Sequence, residues 1–453
     1  MEGRLPPDDD DLFEWTDAPA RPPRRERELR TGERERPGTG ERDRVGTGER
    51  PPVETTTAER RRVRGDTGEF ERSGRRPPPG RRARRRDLPA RVRRRQDLMI
   101  GAAAAVVLVL LIVLISGGGG GTSQPSVGLK RLVGQTIVAK LGKNGPDPAL
   151  IKRVRQGQVG GLIAFENDAQ KLQADVKQLQ AAAGAGDNPP LLVMIDQEGG
   201  DVKRLPQGPP DTSSQDLGRS GDEGQATDEG QKTGSFLRGL GVNVDLAPML
   251  DVAQPTTADT IKSRTFGSDP GTVAKVGVSF AEGLQGGGTV ATAKHFPGLG
   301  RATVSTDDRP VSIAATSDQL QSDLEPFKAA VAAGVDMVMV STASYPTLGS
   351  KKEAAFSPAI VRGLLRSQLG FDGVVITDDL EAPSVTGQVA PALVASSALQ
   401  AGDDLLLFAQ HDSASDRAFG TLVSEVKSGH LNRAVVQDAY DRITTLKESP
   451  PGS

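Results

Sequence analysis

The sequence predicts an α/β protein built on a (β/α)8 TIM-like barrel, preceded by a disordered tail and one transmembrane helix. Three observations carry this. Eight short apolar runs recur over roughly 325 residues, each followed by a helical pattern, which is the size of such a barrel. Most of the runs are continuously apolar rather than alternating, as strands covered on both faces by helices are. No Gly-x-Gly-x-x-Gly follows any of them, which argues against the competing doubly wound open sheet.

The chain of 453 residues carries a formal net charge of −2, 3% aromatic residues and no cysteine. A disulfide framework, a thiolate metal site and a cysteine nucleophile are therefore excluded. The near-neutral total hides two unlike parts. Residues 1–97 hold 27 Arg against 21 acids, whereas the remainder holds 30 Lys and Arg against 38 acids. The first part is rich in Arg, Pro, Gly, Glu, Asp and Thr and lacks apolar periodicity, so it cannot bury enough surface to offset the entropy of ordering and reads as a disordered tail. An eight-residue repeat (TGERERPG, TGERDRVG, TGER) starts at Thr31, Thr39 and Thr47 and matches no solenoid period. Either it is low-complexity sequence in a solvated tail, or it binds a partner or is phosphorylated.

From Arg60 to Asp97 the count shifts to 16 Arg against 5 acids, and Leu98–Ile115 then runs for eighteen residues without a charge. That length is close to the ~20 residues of a membrane-crossing helix, and the five glycines Gly117–Gly121 that follow are no continuation of a globular one. Residues 98–116 are thus expected to be a signal-anchor span. The arginines before it put the N-terminus in the cytoplasm and everything after the Gly/Ser linker 117–127 outside the cell membrane. No aromatic residues are interleaved with the arginines, so topology and anionic lipid explain them and no nucleic-acid partner is expected.

The barrel is expected over 128–448, with strands at Gln135–Ala139, Gly161–Phe165, Leu191–Asp196, Val242–Leu246, Thr289–Lys294, Val335–Val340, Gly373–Asp378 and Asp404–Phe408. Helical patterns lie between them, as in Ser322–Ala333 and Pro358–Arg366. Chemistry in this fold is built at the C-terminal ends of strands. Those ends read Asp196, Asp245, Lys294-His295, Ser341-Thr342 and Asp378-Asp379. Any one of them could be a helix cap or turn residue. Polar residues closing several separate apolar strands on one rim indicate a site. Only His295, His411 and His430 are present, so a histidine metal centre is not expected, while a carboxylate-only Mg²⁺ or Ca²⁺ site stays open. No cofactor is implied.

Four motifs follow in order on these strand ends: Ile195-Asp-Gln-Glu-Gly-Gly200 with Val202-Lys-Arg-Leu205, Ser263-Arg-Thr-Phe-Gly-Ser-Asp-Pro270, Lys294-His-Phe-Pro-Gly298 and Val375-Ile-Thr-Asp-Asp-Leu380. Over about residues 128–447 the chain resembles the catalytic barrel of glycoside hydrolase family 3, and most the single-domain β-N-acetylglucosaminidases within it. The resemblance implies retaining hydrolysis through a covalent glycosyl-enzyme, with Asp378 as nucleophile. It also implies that Asp196, Arg204, Arg264, Lys294 and His295 bind the sugar. Side chains alternate along a strand, so Asp379 should point away from Asp378 and orient a loop.

The chain departs from the pattern in the loop after Lys294-His-Phe-Pro-Gly298. Members of that branch place an Asp-x-His pair there, whose histidine is the general acid/base; here Ser305 and Asp307 stand at those positions. Two readings remain. Asp307 or its neighbour Asp308 is the acid/base, its pKa raised by Asp378 and opposed by Arg301 and Arg309. Alternatively the barrel is a catalytically impaired pseudoenzyme that binds envelope sugar. Ser341-Thr342 and Asp201 also stand where relatives commonly have His and Arg. Phosphorolysis or a β-glucosidase-like specificity is a further possibility. Trp15, the sole tryptophan, lies in the tail, which leaves no tryptophan platform for a long polysaccharide and favours an exo-acting pocket. Together these features predict a membrane-anchored, extracytoplasmic exo-β-N-acetylglucosaminidase acting on cell-wall sugars, peptidoglycan among them. An interaction protein working through its tail is the alternative of another class.

Overall fold

A computed structural model describes residues 127–451, with Gln388 and Pro450 left aside. The tail expected at 1–97, the span expected at 98–116 and nearly all of the linker lie outside the described residues. Among the described residues no helix is long and apolar enough to cross a membrane.

All eight expected strands form: β1 (Ile137–Leu141), β2 (Gly161–Ala164), β3 (Leu192–Ile195), β6 (Val244–Asp245), β7 (Val290–Phe296), β8 (Met337–Val340), β9 (Val374–Thr377) and β10 (Leu406–Leu407). They pair in parallel in the order β10-β1-β2-β3-β6-β7-β8-β9. The Ile376↔Leu405 bridge and the hydrogen bond from Thr377 N to Leu405 O join the two ends, so the sheet is a barrel. Helices follow the strands, and several of the loops that lead into them end in side-chain caps. Asp147, Asp168, Asp222 and Asp269 each accept a hydrogen bond from the first turn they precede.

One element was not expected. β4 (Gln197–Gly199) and β5 (Val202–Lys203) form an antiparallel hairpin directly after β3, turning at Gly200 and Asp201 with Gly199 and Gly200 at φ of 90° and 58°. The helical pattern expected at Ser322–Ala333 is broken between Ser317–Asp323 and Glu325–Ala333, since Pro326 supplies no N–H to a continuous helix. Pro358–Arg366 is realised as a wider π-helix, Ala359–Gln368.

The alternation of strand side chains sorts the core. Val138, Ile163, Leu192, Met194, Val244, Leu246, Met337, Met339, Val374, Ile376 and Leu407 fill the barrel interior, and Ile443 and Leu446 of the C-terminal helix Arg433–Glu448 join that inner cluster. Intervening residues such as Val193, Ile195 and Val375 face the helices. Asp404 fixes that last helix, because its buried carboxylate takes Arg442 at 2.8 Å, Arg366 at 2.7 Å and the backbone N–H of Val375. Around the barrel, helix Glu223–Gly239 lies against Pro270–Gly286 through a seam of glycines. A Cβ on Gly230 would sit 2.2 Å from the Phe280 carbonyl oxygen, and one on Gly283 2.2 Å from that of Thr227.

Two glycines of one helix should therefore respond oppositely. Gly230→Ala forces a methyl into rigid backbone and should cost about 1–3 kcal/mol. Gly239→Ala meets nothing within 4 Å and should stabilise by about 0.4–1 kcal/mol through the unfolded chain. Urea denaturation of both variants checks the pair.

Candidate active site

The inward-facing residues at the C-terminal end of the barrel, Ile163, Leu246, Met339 and Leu407, line a cavity of about 320 Å³. Alternation from Met194 and Ile376 brings Asp196 and Asp378 onto the same inner side. Asp378, Asp307, Asp196, Arg204, Arg264, Lys294 and His295 all line this one cavity. The structure thus brings together the expected nucleophile, Asp307 and all five expected sugar-binding residues, whereas Asp308, the alternative acid/base, is exposed and does not line the cavity.

Its foundation is a buried ion cluster. Lys294, on β7, donates to Asp196 at 2.9 Å and pairs with Glu198 at 2.6 Å. Arg264 holds the other side of Glu198 through Nε at 2.9 Å and a terminal nitrogen at 2.6 Å. Burial would push Glu198 up, but Arg264 and Lys294 outweigh it and hold its carboxyl far below the usual range. Burial likewise opposes the charge of Asp196, which Lys294 and Arg204 nevertheless keep below its ordinary pKa. Burial would also strip Lys294 of its proton, yet Asp196 and Glu198 raise its pKa. The hairpin β4–β5 delivers Arg204 back to Asp196 at 3.4 Å, with its guanidinium 5.1 Å from the Phe165 ring centroid. Asp201 lies exposed at the hairpin turn and does not line the cavity.

His295 is held from behind. Asp251, fully buried, accepts the backbone N–H groups of His295 and Leu299 and faces the ring Nδ1 at 2.7 Å. Glu198 and Asp251 were not named from the sequence. Glu198 could have been found by the two-residue spacing from Asp196, and Asp251 by its place at the end of the apolar stretch Ala247–Leu250.

Other strand-end residues do different work. Asp245 lies between the inner-core residues Val244 and Leu246, faces away from the cavity, and accepts Gln197 N at 3.0 Å, bracing the hairpin. Burial lifts its pKa to about 8, with Asp196 and Glu198 adding to the effect against the Gln197 N–H and Lys294. Ser341 accepts Ala343 N at 3.0 Å, and Thr342 accepts the Ser384 hydroxyl at 2.9 Å. Asp379 borders the cavity with its oxygens engaged: Oδ1 accepts Glu381 N and Ala409 N, and Oδ2 accepts the Gln410 amide. It does orient a loop, the one after β10, which Glu381 also grips through Gln410 N and His411 N. Burial raises the Asp379 pKa to about 6 against those hydrogen bonds, with help from Asp378.

The loop after β7 is anchored on both sides of its tip. Arg301 clamps Asp323 at 2.6 and 3.1 Å, and Ser384 N donates to Thr306 O at 3.1 Å. Asp307 is exposed at the pocket mouth, and among the described residues its carboxylate accepts a hydrogen bond from Ser305 alone, at 3.3 Å. The protein around it raises its pKa, and so does the Asp378 carboxylate; His295, Arg264 and Ser305 oppose the shift. The expected opposition from Arg301 is not found, because that guanidinium is occupied by Asp323. Neither Asp378 nor Asp307 forms an ion pair among the described residues. Among those residues no group of three or more His, Cys, Asp and Glu is placed to hold a metal ion.

Two carboxylates free of ion pairs, above a ring-sized pocket fringed by hydrogen-bond donors, define a glycosidase-type site on a barrel. Residues 133–446 match the glycosyl hydrolase family 3 N-terminal domain, and the chain belongs to that family: it is a glycoside hydrolase acting on O-glycosyl bonds. It is 31% identical over 302 residues to β-hexosaminidase LpqI of Mycobacterium tuberculosis, covering 65% of this chain and 77% of that one. Its fold is similar to a family 3 β-N-acetylglucosaminidase from Paenibacillus (TM-score 0.69, 32% identity, 71% of this chain and 62% of that chain). A β-N-acetylhexosaminidase from Beutenbergia cavernae gives a TM-score of 0.67 at 32% identity, over 72% of this chain and 100% of that chain.

The raised pKa of Asp245 makes a prediction about stability. A carboxyl at about 4 in the unfolded chain and about 8 in the fold stabilises fully below pH 4, and the contribution is lost as pH rises to 8. Asp245→Asn keeps the shape of the neutral acid and lacks this titration. Melting temperatures should therefore shift in favour of the variant between pH 4 and 8 and stay parallel above.

Proposed function

We propose that the chain is a retaining exo-β-N-acetylhexosaminidase, tethered to the cell membrane with its barrel outside and acting on cell-wall glycans. The observation that carries the catalytic reading is that Asp378 and Asp307 face one cavity and that each carboxyl lies within the electrostatic reach of the other. The hexosaminide specificity is supported by the names of the relatives above.

In this reading Asp196, Arg204, Arg264, Lys294 and His295 bind the sugar hydroxyls, the ion cluster having fixed their positions before substrate arrives. An Asp378 oxygen attacks the anomeric carbon while Asp307, as the neutral acid, gives its proton to the departing glycosidic oxygen. The product is an ester between Asp378 and the sugar. Esterification removes the Asp378 charge, and with it one cause of the raised Asp307 pKa. Asp307 is then suited to take a proton from water, which attacks the anomeric carbon and frees Asp378. An aspartate thereby does the work of the histidine that related loops carry.

Hydrolysis of a chromogenic β-N-acetylglucosaminide by the full chain tests this. Asp378→Ala should abolish turnover. Asp307→Ala should lower kcat by about 10²–10⁴-fold for a poor leaving group, far less for a good one, and should remove the alkaline limb of the pH profile. Sugar binding without turnover in the parent would instead establish the pseudoenzyme.

The anchor is supported by the uncharged run Leu98–Ile115 behind an arginine-rich segment. Because the chain has no cysteine, single replacements report topology without background. In intact cells an impermeant maleimide should label Ser123→Cys and not Thr47→Cys; the reverse pattern would overturn the orientation.

A further inference from the structure

A second cavity of about 1050 Å³ adjoins the sugar pocket and shares Phe165, Ala409 and Gln410 with it. It lies over the ends of β1 and β10, beside Lys140 on β1, Lys143 just after it, and His411 beyond β10. The Phe165 ring stands between the two cavities. Arg204 lies over it from the sugar pocket, and Lys140 approaches within 5.9 Å of its centroid while donating to the Gln410 carbonyl at 2.9 Å. Among the described residues two carboxylates line this groove, and both are engaged: Asp416 pairs with Arg153 at 3.3 Å, and Asp147 caps the following helix through Leu150 N at 2.7 Å. Lys140 and Lys143 ion-pair with no carboxylate among the described residues. The groove therefore offers two ammonium groups to an anion.

The barrel order says which part of a substrate reaches it. In the eight-strand ring β9, which carries Asp378, stands four strands from β3, which carries Asp196. A bound sugar thus spans from its anomeric carbon at Asp378 to its far end at Asp196. The loop of Asp307 leaves β7, four strands from β1, and is tied at Thr306 to Ser384 beyond β9, so it stays on the β7–β9 side of the pocket while the groove opens over the ends of β10, β1 and β2. A leaving group departs beside the acid that protonates it. What enters the groove is accordingly carried on the flank of the ring.

We propose that this groove binds an anionic arm, a carboxylate or phosphate, borne by the hexosamine itself, with Lys140 and Lys143 as its counter-charges. The proposal rests on the reading of the smaller cavity as a hexosaminide pocket. Calorimetric titration of the full chain with N-acetylglucosamine, its 6-phosphate and N-acetylmuramic acid tests it. The last two place a phosphate and a carboxylate on different ring carbons and so distinguish the two sources of negative charge. At least one should bind about tenfold more tightly than the neutral sugar at low salt, an advantage that shrinks as salt screens it. The Lys140→Gln/Lys143→Glu variant should lose that advantage and keep its affinity for the neutral sugar. No binding of either anion, no gain over the neutral sugar, or a gain that survives the double substitution would overturn the proposal. Turnover of an uncharged aryl hexosaminide, measured alongside, separates the two readings. Turnover without an anion preference refutes the groove alone, and an anion preference without turnover refutes only the hydrolase.

Discussion

The site depends on one arrangement of charge: two carboxylates, Asp196 and Glu198, closed around Lys294 and Arg264. Burying any one of these ions alone costs several kcal/mol, and only a complete, hydrogen-bonded set offsets that. The four residues come from the end of β3, the hairpin behind it, a loop after β6 and the end of β7, so the cluster forms only when those segments have docked. It is also close to electroneutral. The cations are thereby prevented from collapsing onto Asp378 or Asp307, and those two carboxylates are left to face the pocket.

Much of this was legible in the sequence because it rests on short-range regularities. Eight apolar runs gave eight strands, since a strand covered on both faces has no polar side to blur its pattern. Alternation anticipated that Asp379 would hold a loop, as its bonds to Ala409 and Gln410 do, although it borders the same cavity as Asp378 rather than pointing away from it. Asp196, Lys294, His295 and Asp378 were named through motif resemblance together with their places on strand ends, Arg204 and Arg264 through the resemblance, and Asp307 by its position in the loop.

What was not legible is long-range. The hairpin β4–β5 pairs only through residues too polar and too few to read as strands, although it is what carries Arg204 to Asp196. Nothing local marks Asp245 as a brace for the hairpin, because its orientation follows from the register of β3 against β6. Arg301 has the right distance along the chain to oppose Asp307, but Asp323, twenty-two residues on, takes it first. Partner choice among charges is settled by tertiary packing, and one sequence leaves it open.

The anchoring of the loop after β7 on both sides of its tip has an evolutionary consequence. Arg301 pins one side and the Thr306 carbonyl the other, while among the described residues Asp307 hydrogen-bonds only Ser305. Under the proposed mechanism the proton-transfer group is therefore mounted on a loop tip, whereas Asp378 is embedded in a stretch whose next acids, Asp379 and Glu381, also shape the neighbouring wall. On the proposed assignment, an exchange of the side chain at the tip would leave Asp378 undisturbed, whereas a change at residues 378–381 would disturb the loop after β10 as well. Variation among such barrels should accordingly concentrate in how the proton is handled and spare how the sugar is attacked.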